Sequence, residues 1–505
     1  MALLLGLDFG TGGVRAGIFD LDRRQMLAER EAMFRTTHPH PGWAEQSPVD
    51  WWQAAGEATR ALMQALGSPD LAGVCVATTA STVVACRRDG TPLRPALLWM
   101  DCRAAHQADC TARSGHPVLA YAGGSDAAEW LVPKAMWLKE HEPEHFQDAG
   151  IVCECLDYLN FMLCGRWVGS RMNATCKWNY DSVAKTFHQD LYDELGIPEL
   201  TAKLPMEIVP VGGAVGTISE QAMRHLGLAN RPMLSQGGID AHIGMVGART
   251  MHPGDMLMIG GTSVVQLFQL ASQQDVTGFW GPYPHALVDD HWLVEAGQVS
   301  AGSVLSWFSR DVFGLDQGEL NGLWEEASRF EVGGTGILTL DFFMGNRTPY
   351  RDPHLRGTVL GLTLGHDRAA LYRAAVEGVA LGSANVLRHM GDLGIPCRRI
   401  VCAGGIVKNP LWLKATVDAL GMPVQLAGDT NLSILGAVAC AATGAGIVPD
   451  LFAAGEAVAP ATSTIEPDTD AHARYQELLE DYREAAELLT SLSRRLAARQ
   501  AKALS

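Results

Sequence analysis

The sequence predicts an α/β protein of two domains, each a central sheet covered by helices. Three observations carry that expectation. The chain has 505 residues, more than one ordinary core serves. Strand-like and helix-like stretches are mixed through both halves. The halves also open alike: "LLLGLDFGTGGVRAGIF" and "DMLMIGGTSVVQLF" both run apolar strand, Gly-Thr turn, apolar strand. That pattern is common, but its place at the head of each half points to a duplicated domain.

The first half begins as a β-meander. "LLLGLDF", "VRAGIFD" and "QMLAEREAMF" read as strands, with turns at Gly10–Gly13 and Asp20–Arg24. "PVDWWQAAGEATRALMQAL" is a helix with Trp51, Ala55, Ala58 and Leu62 on one face. "LAGVCVAT" and "TVVACRRDG" are strands on either side of Thr78–Ser81, and residues 127–165 are mainly helical and aromatic. In the second half "HALVDDHWLVEAGQV" reads as a hairpin turning at Asp289–Asp290, and "RRIVCAGGIVKN" as a strand entering a glycine loop. Helices follow in "RAALYRAAVEGVALGSANVLRHMGDLG", "NPLWLKATVDALG" and "LSILGAVACAATGAG". The charged stretch 470–500 is an amphipathic surface helix with Tyr475, Leu478 and Leu479. The expected domains are 1–250 and 251–490, with 491–505 a tail. A cleft between two such domains is the default ligand site.

Composition narrows the function. Apolar residues make up 47% and charged residues 19%, an ordinary globular mixture. A net charge of −17 argues against nucleic acid or an anionic membrane as the main partner. A nucleotide would then need local backbone N–H groups and a cation. Eleven cysteines with no C-x-x-C pair read as reduced thiols, not disulfides or zinc ligands. The apolar start reaches Asp8 too soon for a signal peptide or membrane span, so a soluble cytoplasmic protein is expected. His38 and His40 read as a solvated loop, and no His/Cys/Asp set has metal-ligand spacing.

Three glycine loops could bring backbone N–H groups to phosphate oxygens: Gly10-Thr11-Gly12-Gly13, Gly260-Gly261-Thr262-Ser263 and Gly404-Gly405. Each alone reads as a hairpin or strand–helix turn before it reads as a ligand loop. Three together, two with hydroxyls, favour a nucleotide. There is no G-x-x-x-x-G-K-[ST] loop. Asp240 in "GGIDAHIG" has two open readings, a base taking a hydroxyl proton or a helix N-cap. Asp101 in "LLWMDCRAA" is a sugar-hydroxyl ligand or another cap. Lys177 in "NATCKWNYD" is a sugar contact or part of a packed surface loop. Thr78, Thr79, Ser81 and Thr82 suit a turn between strands.

The set taken together is more specific than any member. The opening strand–Asp–x–Gly–Thr loop, "AEQSPVDWW", "LWMDCRA", "GGIDAH", "GGTS", "FMGNRTPYRDPHLRGTVLGLTLGHDRAALYRAAVEGVA" and "AGGIVKNPLWLKATVDALGMPV" occur in one order. That order resembles the FGGY carbohydrate kinases over about residues 3–450. The resemblance implies two ribonuclease H-like domains of the actin, hexokinase and Hsp70 type, with a catalytic cleft between them. It implies ATP and Mg²⁺ as cofactors and a sugar as substrate. Asp240 then resembles the catalytic base, and Asp8 the acid that organises Mg²⁺ through water. Gly10, Thr11, Gly12 and Gly13 would meet the γ-phosphate, and Gly261, Thr262 and Ser263 form the second phosphate loop. Gly404, Gly405 and Asn409 resemble the adenosine loop. Ser81, Asp101 and Lys177, with Asp240, fall at the sugar.

"GNRTPYRDPHLRG", with Asn346 before Arg347, and "CKWNYD" look most like the ribulokinase branch, so a ketopentose, ribulose first, is expected. Xylulose, erythritol and glycerol are the rival substrates, and a silent sugar-binding protein is the rival class. Many relatives carry Ser or Thr after the first Gly-Thr, where this chain has Gly12 and Gly13. A homodimer is expected only from the frequency of dimers among enzymes.

Overall fold

All seven residues of the opening strand β1 (Leu3–Phe9) are buried, as suits a strand covered on both faces. The computed structural model describes residues 2–504, with side chains through Gln500, and sets β1 inside a six-stranded sheet. β1 pairs antiparallel with β2 (Gly13–Asp20), which pairs with β3 (Gln25–Met33). On its other side β1 runs parallel to β4 (Gly73–Thr78). β5 (Ala214–Thr217) and β6 (Met233–Ser235) complete the sheet, β6 parallel to β4 and β5 antiparallel at the edge.

The second half repeats the device. β7 (Asp255–Gly260) turns into β8 (Val264–Leu270), and β9 (Trp280–Pro284), β10 (Trp292–Gln298), β11 (Arg399–Gly404), β12 (Val424–Leu426) and β13 (Ser463–Ile465) follow. They form one sheet in the order β9–β10–β8–β7–β11–β12–β13. As in the first sheet, the opening strand pairs antiparallel with the next and parallel with a later strand. The expected α/β architecture of two like sheets is therefore present.

One local reading needs correction. "HALV" is not a strand: the hairpin arm is Trp280–Pro284, and His285–Val288 belong to the turn. Val83–Cys86 is a strand, but it joins a separate five-stranded sheet with Thr36–Thr37, Glu45–Gln46, Ala96–Leu97 and Ile151–Glu154. The last helix runs unbroken over Thr469–Leu504.

Six helices matter most for the site and the surface: α1 (Pro48–Ala65), α2 (Asp240–Gly247), α3 (Arg368–Asp392), α4 (Pro410–Leu420), α5 (Leu432–Gly444) and α6 (Thr469–Leu504). α1 buries Trp51, Ala55, Ala58 and Leu62 against the first sheet's core, the face its periodicity foretold. α2 and α5 pack on one another in a core that both halves supply, with Leu4, Ile243, Leu257, Ile434 and Val438 buried together. This shared core fixes one sheet relative to the other. All eleven cysteines are free. Among the described residues no helix is long and apolar enough to cross a membrane.

Candidate active site

The chemistry gathers where α2 and α5 begin. Asp240 is the first residue of α2, while Asn431 caps α5, its Oδ1 accepting from Ile434 N at 3.0 Å. Asn431 Nδ2 donates to Asp8 Oδ2 at 2.9 Å and so ties that helix end to the end of β1. Helix N-termini carry free N–H groups and partial positive charge, which favour anions here.

Asp8 is 6% exposed, and burial raises its carboxyl above the ordinary range while Asn431 and Arg15 oppose. Asp240 is half-buried and its carboxylate accepts from Ala241 N at 2.7 Å. Burial, then the charge of Asp8, pushes Asp240 up to about 7, with Glu295 adding to the effect. A carboxyl poised near neutrality can take a proton and release it. The N-cap reading fails. The cap position is Ile239, and Asp240 lies one residue inside the helix. Asp8 and Asp240 both keep lone pairs unspent on protein donors, an oxygen set that fits a hard cation such as Mg²⁺.

Lys177 is no surface residue. It is 5% exposed at the end of the helix Arg171–Lys177, with Nζ 3.1 Å from Glu295 Oε2 on β10 and 4.6 Å from the Trp130 ring centroid. Arg347 Nη1 lies 3.8 Å and His242 Nε2 3.6 Å from the same carboxylate. Burial works to raise Glu295, but Lys177, His242 and Arg347 outweigh it and hold the carboxyl well below its ordinary range. Burial also lowers the His242 imidazole, whose two nitrogens have no hydrogen-bond partner among the described residues.

Ser81 sits in a left-handed conformation (φ +58°), held by its N–H to Glu154 Oε2 at 2.8 Å and its carbonyl to Lys134 Nζ at 2.8 Å. Its buried hydroxyl has no partner among the described residues. Glu154 also accepts from Asn173 and Trp178 and feels the charge of Lys177, which puts Ser81 and Lys177 in one neighbourhood.

Asp101 departs from expectation. It is fully buried and accepts from Ala44 N at 2.7 Å and from Arg103 Nε and Nη2 at 2.8 and 2.7 Å. Its Oδ1 also accepts from Arg103 N at 3.1 Å, so both oxygens are engaged by protein donors, and the cap position of the following helix is Ala104.

Gly10-Thr11-Gly12-Gly13 joins β1 to β2, with Gly10 N donating to Gly13 O at 3.0 Å. The Thr11 hydroxyl accepts from Trp99 Nε1 at 3.1 Å, which leaves its own proton to donate. Gly261-Thr262-Ser263 joins β7 to β8, and Thr262 O accepts from Ala301 N and Ser303 N at 3.0 and 3.1 Å. Gly261, Thr262, Gly405 and Asn409 line one cavity of about 560 Å³ with Trp324 and Tyr372. Gly404 stands just outside that lining, at φ +90°. Asn409 caps α4 through Trp412 N at 3.1 Å and reaches Tyr372 Oη at 3.3 Å. A separate cavity of about 650 Å³, walled by Gly123, Gly124, Thr277 and Arg351 among others, contains none of the expected site residues.

One cluster with metal-ligating atoms was invisible in the sequence. His116, His188 and Asp190 place ligand atoms within 4.8 Å of one another. His116 Nδ1 accepts from Val118 N at 3.2 Å, so the ring proton sits on Nε2, 3.3 Å from Asp190 Oδ2. In that tautomer the lone pair a metal would need is already engaged.

Residues 3–247 match the N-terminal domain of the FGGY family of carbohydrate kinases, and residues 256–445 match its C-terminal domain. The chain belongs to the FGGY family of carbohydrate kinases. This FGGY kinase is 28% identical over 510 residues to an FGGY carbohydrate kinase domain-containing protein of Xenopus laevis, covering 92% of each chain. It is 29% identical over 491 residues to a ribulokinase of Mycolicibacterium smegmatis, covering 89% of this chain and 87% of that one. The structure of a xylulose kinase from Rhodospirillum rubrum superposes with a TM-score of 0.85 at 26% identity, covering 97% and 99%. The FGGY chain is thus an ATP-dependent sugar phosphotransferase with the two-domain fold of the actin- and hexokinase-like ATPases.

Sequence reasoning missed Glu295, His242, Asn431, Trp324 and Tyr372. Only Glu295 left a signal, a lone acid inside the apolar strand "WLVEAGQ".

Proposed function

We propose that this FGGY kinase transfers the γ-phosphoryl group of ATP to a terminal hydroxyl of a ketopentose, D- or L-ribulose first, giving ribulose 5-phosphate. The single observation that carries the reading is Asp240, pushed up to about 7 beside the Lys177–Glu295–Arg347 cluster. Alternating cationic and anionic groups suit a polyhydroxylated substrate, whose hydroxyls both donate and accept. Likeness to a ribulokinase over 89% of the chain supports ribulose.

In this reading the sugar lies by Lys177 and Ser81, and Asp240 takes the proton of the attacking hydroxyl. A base in this role supplies about 10²–10⁴-fold. The triphosphate runs from Gly404, Gly405 and Asn409, past Gly261–Ser263, to Gly10–Gly13, where the Thr11 hydroxyl donates to it. Asp8, with Asp240 nearby, would hold Mg²⁺, which when bound offsets phosphate charge. Closure of the two domains would exclude water, the competing nucleophile.

ADP release measured over a panel of ribuloses, xyluloses, ketohexoses, erythritol and glycerol tests the assignment. The highest kcat/KM is expected for a ribulose. A higher value for any other member overturns that choice.

A further inference from the structure

Two fully buried charged residues, Lys134 and Glu154, take no part in the proposed chemistry and make no ion pair to any described residue. Lys134 lies on the helix Leu131–His141, and Glu154 ends the strand Ile151–Glu154. Burial lowers the Lys134 ammonium to about 7 and raises the Glu154 carboxyl, so both charges are held there at a cost. Their hydrogen bonds meet on one residue. Lys134 Nζ donates to Ser81 O at 2.8 Å, and Glu154 Oε2 accepts from Ser81 N at 2.8 Å.

Ser81 stands at φ +58°, a conformation that a serine keeps only where its surroundings fix it. The two charges grip the peptide groups on both sides of its Cα, which sets φ and ψ together. What they hold in place is a buried hydroxyl with no partner among the described residues. The same turn opens at Thr78, which bridges Ile239, the residue before Asp240. Lys134 Nζ reaches further, to Leu98 O at 2.5 Å and Leu97 O at 3.4 Å. Trp99 comes next in the chain, and its Nε1 donates to the Thr11 hydroxyl. Glu154 reaches the other way, to Asn173 Nδ2 and Trp178 Nε1, each at 2.8 Å, on the segment that carries Lys177.

We propose, resting on the reading that sets the sugar by Lys177 and Ser81, that Lys134 and Glu154 are positioning residues for the sugar. They form a two-sided clamp that presents the Ser81 hydroxyl beside Lys177. Packing alone would not call for ions, since apolar side chains of similar volume fill a core at less cost. Nor are the two charges placed to neutralise one another by direct contact. Each is committed to Ser81 and to the segments beside it, and bonds to an ionised group are the stronger kind. In this reading neither meets the reacting atoms, and each acts through Ser81.

Steady-state kinetics with the panel sugar of highest kcat/KM test this, with thermal unfolding of every variant recorded to show an intact fold. Lys134→Met removes the ammonium from a stem of similar shape, and Glu154→Gln keeps the shape of the carboxylate with one acceptor oxygen. Each should raise KM for the sugar about tenfold or more and leave KM for ATP within about twofold. Glu154→Gln decides the matter alone if Lys134→Met does not fold. Because both residues act on Ser81, the double variant should raise the sugar KM by less than the product of the two single effects. Lys177→Met is the reference, and an unchanged sugar KM there would overturn the placement of the sugar and the clamp with it. The clamp alone is overturned if Lys177→Met raises the sugar KM while either clamp variant leaves it unchanged. An equal rise in KM for ATP, or single effects that multiply in the double variant, would also overturn it.

Discussion

Lys177 Nζ lies 3.1 Å from Glu295 Oε2, and this ion pair joins the two halves of the chain. The partners are 118 residues apart in sequence, and their side chains are only 6% and 12% exposed. Removing Glu295 leaves the Lys177 ammonium buried without its ion-pair partner, which costs about 3–5 kcal/mol, whereas removing Lys177 leaves Glu295 with Arg347 at 3.8 Å and costs less. Glu295→Met should lower stability in urea titration by about that amount, and Lys177→Met by less. Lys177→Met/Glu295→Met should be less unstable than the sum of the singles. Strict additivity would mean that the pair does not interact.

Asp240→Asn should retain ATP and sugar binding, read by calorimetry, while turnover falls about 10²–10⁴-fold. Near-normal turnover would remove Asp240 from the role of base.

The raised carboxyl of Asp240 has a sign that can be checked. From an ordinary 3.8 it moves up to about 7, so between these values the folded state holds a proton that the unfolded chain releases. Its contribution to stability is therefore present at low pH and lost as pH rises through that window. Asp240→Asn should raise the melting temperature more at pH 8 than at pH 5. In the wild type kcat/KM should fall as pH drops below about 7. An equal gain at both pH values would contradict the shift.

The two glycines after Thr11 should differ. A Cβ on Gly13 would sit 2.7 Å from Ala32 O on the neighbouring strand, whereas one on Gly12 would lie 3.5 Å from Met33 Cε. Gly13→Ala should cost about 1–3 kcal/mol in denaturation. Gly12→Ser should fold normally and keep its KM for ATP within a few-fold. The space at Gly12 accepts a serine side chain in ordinary contact with Met33.

Gly404 ends β11 at φ +90°, with the position of a Cβ 2.5 Å from Gly260 O. Gly404→Ala should therefore displace the loop against β7 and raise KM for ATP several-fold, leaving KM for the sugar nearly unchanged. Steady-state kinetics with each substrate varied in turn would separate the two.

The sequence by itself determined the α/β class, the paired opening strands and most helix positions, and it singled out Asp8 and Asp240 as candidate acids. Those are properties of local pattern: apolar periodicity sets the element, and glycine beside an acid at a strand end marks an exposed loop. The tertiary structure decided what each polar group is free to do. Asp101 and Asp240 both looked like helix caps, yet Arg103 and Ala44 N consume one carboxylate while the other accepts only from Ala241 N among the described residues. Glu295 became a site residue because β10 delivers it to Lys177, and Asn431 because α5 begins beside Asp8, 423 residues away. Partners so distant leave no trace in local spacing. Burial, which sets the charge each group carries, exists only once those distant elements have packed together.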